Sequence, residues 1–187
     1  QLALTTVAAG AASGAAFTTQ PVVAVRDASG NLVTTATNVV TMTASLGGTV
    51  VGTATATAVG GVATFASVGL SGLSGAYTLT FAAAGLTSAT QPVTLGVGAA
   101  TRLVATTSAG GAVSGAAFTT QPVIAVQDAS GNVITAATNV VTMTVSAGAT
   151  VVGTATATAV AGVATFGTVG ISGAPASYTL TFATAGL

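Results

Sequence analysis

The stretch Gln20-Pro21-Val22-Val23-Ala24-Val25-Arg26-Asp27-Ala28-Ser29-Gly30-Asn31 decides the fold of this chain. It returns as Gln121-Pro122-Val123-Ile124-Ala125-Val126-Gln127-Asp128-Ala129-Ser130-Gly131-Asn132. The same register carries residues 2–86 onto 103–187 without insertion or deletion, and roughly three quarters of the paired positions are identical. A period of about 100 residues is too long for a solenoid repeat and suits one small globular domain. The chain is therefore two copies of one module.

The stretch itself predicts a β-strand that runs into a tight turn. Pro21 stands at the strand entry, where a missing N–H costs least. Arg26 marks one face of the strand as solvated, so the alternating Val23 and Val25 are predicted to face the core, as are their equivalents in the second copy. Residues 27–31 supply the Asp, Gly and Asn that a hairpin-like reversal needs.

Alternating or β-branched runs predict further strands in the first copy, at 2–6, 38–44, 53–59, 62–68, 76–82 and 91–95. The clearest period of two lies in 76–82, where Tyr77, Leu79 and Phe81 are predicted to point inward and the threonines outward. The glycine- and serine-rich segment 69–75 is predicted as a loop. About seven short strands per 100 residues, with no helical period, predict an all-β fold of antiparallel β-sandwiches.

The repeat predicts two domains, 1–101 with a linker near 96–101, and 102–187. The second domain lacks a counterpart of 87–100, which contains the last predicted strand, so one sheet edge would be open. Two explanations stay open: the chain is a piece of a longer array, or a neighbouring subunit supplies the strand. Against the second, residues 1–19 already provide the module's own first strand.

Four segments of the chain carry a resemblance to a known family: Gly14-Ala15-Ala16-Phe17, the stretch 20–31, Val62-Ala63-Thr64-Phe65 and Tyr77-Thr78-Leu79-Thr80. Their order resembles the bacterial immunoglobulin-like repeats of large secreted and surface proteins, of the invasin, intimin and filamin types. The resemblance implies two tandem immunoglobulin-like antiparallel β-sandwich domains. It also implies a tyrosine corner at Tyr77 and Tyr178, near the start of the strand where antibody domains carry their second cysteine. Such repeats serve as spacers, adhesins and filament subunits alike.

Charge is nearly absent: the chain has 2 basic and 2 acidic residues, namely Arg26, Arg102, Asp27 and Asp128. Ordinary domains are about one quarter charged. Two arginines cannot form the basic patch that nucleic acid or an anionic membrane surface requires. Thr, Ser or Gly also interrupts every apolar run well before the roughly 20 residues of a transmembrane helix. We therefore expect no nucleic-acid partner and no membrane insertion.

The residue types that catalysis needs near neutral pH are missing. With no His, Cys, Lys or Glu, the only bases for Ser or Thr are Asp27 and Asp128, which occupy equivalent sites in different modules. We expect no enzyme activity, no catalytic residue and no cofactor. Asp27 with Asn31 could provide partial ligands for Ca²⁺, which takes about 6–8 oxygens. One carboxylate per module favours instead an Asp that caps its own turn, so no metal site is expected.

The nearly uncharged surface is the most informative feature for function. Net charge keeps soluble domains apart, and a neutral domain faced with Thr, Ala and Val tends to associate. We expect a structural subunit of an extracellular filament, sheath or surface layer that contacts copies of itself or neighbouring repeats, with O-linked glycan possible on its threonines. The alternative is a stalk or spacer of a large cell-surface adhesin. A carbohydrate- or protein-binding module would present clustered exposed aromatics, and here the aromatics fall on core-facing positions.

Overall fold

A computed structural model describes residues 1–45 and 47–187 of the chain. Throughout these residues the regular structure is β-strand, and no helix occurs. The chain divides into two compact units, Gln1–Gly98 (unit 1) and Ala99–Leu187 (unit 2). The all-β prediction is therefore confirmed.

The described residues of unit 1 form ten short strands. They are β1 (Leu2–Thr6), β2 (Ala15–Ala16), β3 (Val22–Val25), β4 (Val39–Ala44), β5 (Thr49–Val51), β6 (Thr55–Thr57), β7 (Val62–Thr64), β8 (Gly69–Ser71), β9 (Gly75–Ala82) and β10 (Ala89–Leu95). They pair antiparallel in three sheets, with the orders β1-β3-β7, β10-β9-β4-β6 and β2-β8-β5.

Unit 2 repeats this plan as far as the end of β9. Its strands are β11 (Arg102–Thr107), β12 (Ala116–Ala117), β13 (Val123–Gln127), β14 (Val140–Val145), β15 (Ala149–Val152), β16 (Thr156–Val160), β17 (Val163–Thr165), β18 (Gly170–Gly173) and β19 (Leu180–Ala183). The sheet orders are β11-β13-β17-β16-β14-β19 and β12-β18-β15. The β16–β17 hairpin, with Ala159 opposite Ala164, joins the strands that form two separate sheets in unit 1.

The core of unit 1 draws its side chains from both larger sheets. Val23 and Val25 of β3 are buried as predicted, and so are Leu79 and Phe81 of β9. In β4 the alternation is equally regular, with Val40 and Met42 buried between exposed neighbours. Period-two burial on strands of both sheets places one apolar layer between them, which is the sandwich-like arrangement that the pattern predicted.

The sequence does not predict β2, β5 or β8, and its loop at 69–75 is wrong for Gly69–Ser71. In β8, Gly69 lies so close to the backbone of Ala15 that a Cβ at this position would collide with the Ala15 carbonyl oxygen. Glycine therefore allows two backbones to approach here, whereas the composition of the segment indicates a turn. The third small sheet of unit 1 depends on that approach.

Two predicted strands are longer than the observed ones. The strand predicted at 62–68 ends at Thr64, because Phe65 N donates to Pro21 O (3.1 Å) but Pro21 has no N–H to return the bond. Further along, Val68 N donates to Gln20 Oε1 (2.9 Å) instead of to a neighbouring strand. Thr53–Val59 is reduced to Thr55–Thr57. The partners of Phe65 and Val68 are distant in sequence, so no local pattern in 62–68 indicates where this strand ends.

Glutamine side-chain amides connect segments that no ladder joins. The Gln20 side chain donates to Phe17 O (2.8 Å) and Val68 O (3.0 Å) in unit 1, and Gln121 repeats both bonds in unit 2. Gln91 of β10 exchanges two bonds with the buried Ala8: it accepts from Ala8 N (2.9 Å) and donates to Ala8 O (2.7 Å). These amides satisfy backbone groups that are removed from water.

Replacing Gln91 should destabilise unit 1. In Gln91→Leu the volume stays filled, but the buried N–H and C=O of Ala8 lose their partners, which costs about 1–3 kcal/mol. Urea denaturation of the full chain in a Tyr178→Phe background reads unit 1 alone, since Tyr77 is then the only tyrosine and the chain has no tryptophan. The control Thr90→Val, exposed on the same strand, should stay within about 0.5 kcal/mol. Equal stability of both variants would contradict the role of Gln91.

Candidate interaction surfaces

Asp27 caps the turn that follows β3. Its Oδ1 accepts from Asn31 N (2.8 Å) and its Oδ2 accepts from Asn31 Nδ2 (3.0 Å). The turn is closed by Gly30 N, which donates to Asp27 O (3.2 Å), and Gly30 adopts the left-handed region with φ of 87°. Arg26 Nη1 donates to Gly30 O across the same turn (2.6 Å). The turn predicted at 27–31 is therefore confirmed.

The equivalent turn of unit 2 is built in the same way, but its Asp and Asn are buried. Asp128 Oδ1 accepts from Ser130 N and Asn132 N (both 2.9 Å), and Oδ2 accepts from Asn132 Nδ2 (2.8 Å). Asp128 and Asn132 are 1% and 6% exposed. Position 127 holds Gln, and the guanidinium of Arg102 lies beside Gly131 instead. Each unit thus places one arginine at this turn: Arg26, which follows β3, in unit 1, and Arg102 of β11 in unit 2.

Both aspartates use their carboxylate oxygens within their own turns. A Ca²⁺ ion needs several oxygens that point to one centre, and here the oxygens of Asp27 point to the backbone and amide of Asn31. No group of three or more His, Cys, Asp or Glu side chains comes together in residues 1–45 and 47–187. The arrangement can cap a turn, and it offers a metal ion one carboxylate.

The Asn31 contacts hold the pKa of Asp27 below its ordinary value. The side-chain hydrogen bond from Asn31 is the main cause, and the backbone N–H bond from the same residue is the second. Both bonds favour the charged carboxylate. Because the folded pKa is depressed, the stabilisation by this carboxylate is present above its unfolded pKa and is lost as pH falls through the folded value.

Removing Asn31 should therefore raise the pKa of Asp27. We expect the Asp27 carboxyl carbon to titrate at higher pH in Asn31→Ala than in the wild type, in an NMR pH titration of the full chain. Exposed Thr35→Ala, outside the turn, serves as the control and should leave the titration unchanged. An identical Asp27 titration in wild type and Asn31→Ala would show that the side-chain hydrogen bond from Asn31 does not favour the charged form.

The outward side of the β10-β9-β4-β6 sheet is lined with threonine. We call it the threonine face of unit 1; its members are Val39, Thr41, Thr43, Thr55, Thr57, Thr78, Thr80, Thr90, Pro92 and Thr94. Thr90, Thr80 and Thr43 stand opposite one another in a row across three strands. Val39 is 53% exposed on the same face. The face carries no charged side chain.

Unit 2 has an equivalent threonine face. It consists of Val140, Thr142, Thr144, Thr156, Thr158, Thr181 and Ala183. Thr144 stands opposite Thr181, and Thr142 stands opposite Thr156. Val140 is 52% exposed. Arg26 follows β3, Arg102 begins β11 and the two aspartates cap turns, so no charged side chain lies on the threonine faces.

Most of the aromatic side chains lie in the cores. The buried phenylalanines are Phe17, Phe65, Phe81, Phe118 and Phe166. Tyr77 and Tyr178 are half-buried, and each hydroxyl donates to a carbonyl four residues upstream, Leu73 O (2.8 Å) and Ala174 O (2.7 Å). The tyrosine hydroxyls are therefore used to hold the loop before the strand, in the manner of a tyrosine corner.

Comparisons with known proteins give little support for any identity. No protein-family model matches the chain, and no curated protein matches it. Among solved structures the chain is similar to the β-glucuronidase of Parabacteroides merdae, with 9% sequence identity and a TM-score of 0.26. The match covers 99% of this chain and 25% of that one, so the chain spans a quarter of the enzyme's length. A likeness this distant implies nothing about the activity of the chain.

The described residues also contain no helix that is long and apolar enough to cross a membrane.

Proposed function

We propose that the chain is a pair of immunoglobulin-like β-sandwich repeats that act as a structural subunit of an extracellular filament, sheath or surface layer. Their partners are copies of the same chain or neighbouring repeats, which meet through the threonine faces. The immunoglobulin-like assignment is supported by the sandwich-like core and by the upstream hydrogen bonds of Tyr77 and Tyr178. The single observation that carries the functional proposal is the absence of charge from the two threonine faces.

An uncharged sheet face favours contact with a similar face. Opposed surfaces with like charges repel, and exposed lysines on sheets protect proteins against association. Neither protection exists on the threonine faces. Threonine also combines a methyl group, which gains by burial, with a hydroxyl that can bond to a neighbouring carbonyl, as Thr43 Oγ1 does weakly to Thr80 O (3.5 Å). Contacts of this kind depend little on salt, because there are few charges to screen.

The composition of the chain and the contacts of its two carboxylates argue against catalysis. Bases and acids near neutral pH are missing from the chain, and the two carboxylates are engaged by asparagines in their turns. We propose that the protein is not an enzyme, binds no cofactor and has an architectural role outside the cell or at its surface. O-linked glycan on the exposed threonines is a compatible modification, and it would shield the faces from one another.

The tandem repeat itself favours a second candidate, a stalk or spacer of a large surface adhesin. Each unit has its own core, as a spacer module requires. The two functions differ in lateral contact, and electron microscopy of the native material separates them. Regular helical or sheet packing is expected for the filament, whereas isolated flexible strings would support the stalk.

Lysines on the threonine faces should prevent association. We expect the wild-type chain to show a sedimentation coefficient that rises with protein concentration, and the double variant Val39→Lys with Val140→Lys to sediment as a monomer throughout. The reason is that two ammonium groups would have to be desolvated or brought together in the contact.

The matched control is Val7→Lys with Val113→Lys. These valines are 56% and 62% exposed, compared with 53% and 52% for the first pair, and lie outside the threonine faces. Both variants have the same net charge, so a difference in their association depends only on where the lysines lie. A wild-type chain that stays monomeric without glycan at high concentration, or equal effects of both variants, would refute the proposal.

A further inference from the structure

Two segments of unit 1 that lie far apart in the sequence run side by side in the same direction. They are 2–13, which contains β1, and 87–96, which contains β10. The hydrogen bonds between them occur in the same order along both segments, and Ala12 forms a parallel bridge with Gly96 at the end. The strand pairs of the sheets described above are antiparallel, so this parallel course is a separate feature of unit 1. We call the two segments together the terminal clamp.

Backbone hydrogen bonds join the terminal clamp at both of its ends. At the first end, Leu2 N donates to Thr87 O (2.9 Å). At the other end, Gly96 N donates to Ala11 O (2.9 Å) and Ser13 N donates to Gly96 O (3.0 Å). The beginnings of the two segments are therefore bonded to each other, and so are their final residues.

The side chain of Gln91 joins the terminal clamp between these ends. Its Oε1 accepts from Ala8 N (2.9 Å), and its Nε2 donates to Ala8 O (2.7 Å). Gln91 is 7% exposed and Ala8 is 4% exposed, so water has little access to either bond. A pair of bonds from one rigid amide to one peptide unit fixes the two segments against sliding, because any displacement along the strand direction stretches both bonds.

The terminal clamp is also held on the core of unit 1. Leu2 and Ala8 of the first segment and Leu95 of the second are buried in the hydrophobic cluster. Their burial shields the neighbouring hydrogen bonds from water, which would otherwise compete for the same N–H and C=O groups. The bonds of the clamp therefore cannot be exchanged for bonds to water one at a time.

Tension along the chain would load the terminal clamp in shear. A force that enters before Leu2 and leaves after Gly96 pulls the first segment by its beginning and the second by its end. Because the segments are parallel, these two points lie at opposite ends of the clamp, and at about 3.3 Å per residue the strand between Thr87 and Gly96 is roughly 30 Å long. The bonds must then stretch together before either segment can slide. A force applied to both segments at the same end would break the bonds one after another.

The chain leads from the end of the terminal clamp into unit 2 through a short connection. Residues 97–100 follow Gly96, and Thr101 N then donates to Gln127 O (2.8 Å) beside the pairing of β11 with β13. Ala100 already packs against the core of unit 2. Tension on unit 2 is therefore transmitted to Gly96, where the clamp ends.

We propose that the terminal clamp makes unit 1 a load-bearing module that resists tension along the chain. The bonds at its two ends and at Gln91 share the force, and the module unfolds when they break together. Forced unfolding is governed by the barrier to unfolding, so the resistance depends on the contacts that must break first and not on the total stability of the module. This function goes beyond association through the threonine faces and does not depend on it.

Force spectroscopy of the full chain in two pulling directions tests the proposal. The chain has no cysteine, so a pair of introduced cysteines defines where the handles attach. In Gln1→Cys with Val97→Cys the force acts at opposite ends of the terminal clamp, and in Gln1→Cys with Thr87→Cys it acts at the same end. All three positions are exposed. We expect unit 1 to unfold at a several-fold higher force in the first variant than in the second.

A second comparison, with the handles at positions 1 and 97, measures the contribution of Gln91. Gln91→Leu removes both bonds to Ala8 and should lower the unfolding force of unit 1. The control is Leu70→Ala, which removes a buried side chain of β8 outside the terminal clamp and also destabilises the module. This control should leave the unfolding force nearly unchanged. Urea denaturation of both variants shows how far each is destabilised, so mechanical weakening can be separated from a general loss of stability.

Two results would overturn the proposal. One is an equal unfolding force in the two pulling directions, which would show that the parallel course of the segments has no mechanical effect. This comparison needs neither Gln91→Leu nor Leu70→Ala, so it holds even where one of them fails to fold. The other is a larger loss of force in Leu70→Ala than in Gln91→Leu, which would place the resisting contacts in the core. Neither result bears on association through the threonine faces.

Discussion

One edge-to-face contact between two phenylalanine rings connects the strand layers of each unit. In unit 1 the rings of Phe65 and Phe81 have centroids 5.5 Å apart and an interplanar angle of 69°. Unit 2 repeats the contact between Phe166 and Phe182, at 5.6 Å and 63°. This geometry is favoured because the positive edge of one ring meets the negative face of the other. In a chain made largely of Ala, Val, Thr and Gly, these ring pairs join the layers, and Leu, Met, Val and Ala side chains pack around them.

Because most side chains are small, the polar groups that need hydrogen-bond partners inside the fold are mainly backbone N–H and C=O groups. Strands approach closely, as at Gly69 and Ala15, and many amide groups leave the solvent without a long polar side chain nearby. The chain solves this with few residues. Gln20 and Gln91 each reach a backbone segment that the ladders do not pair, and Asp27 closes its own turn. Each of these side chains satisfies its own backbone groups, so no neighbouring side chain replaces one that is lost.

The surface follows from the same composition. Alternation along each strand already assigns side chains to the core or to the surface, so the fold needs few charged residues to distinguish the two. Threonine occupies the outward positions, and the four charged residues lie at the ends of β3 and β11 or in the capped turns. The result is a pair of neutral faces that carry no charged side chain. Unit 1 and unit 2 differ mainly at one edge, where β10 is present in the first and has no equivalent in the second.

Much of this architecture could be predicted because the repeat and the period-two alternation can be recognised in the sequence without knowing which distant residues meet. They gave the all-β fold, the buried faces of β3, β4 and β9, and the turn at Asp27. Only the tertiary structure revealed β8, whose glycine indicates a loop until the backbone of Ala15 is seen against it. It alone also paired Gln91 with Ala8 and opened a cavity beside Tyr178. These features depend on residues far apart in the chain, and no local pattern records which backbone group a distant side chain will meet.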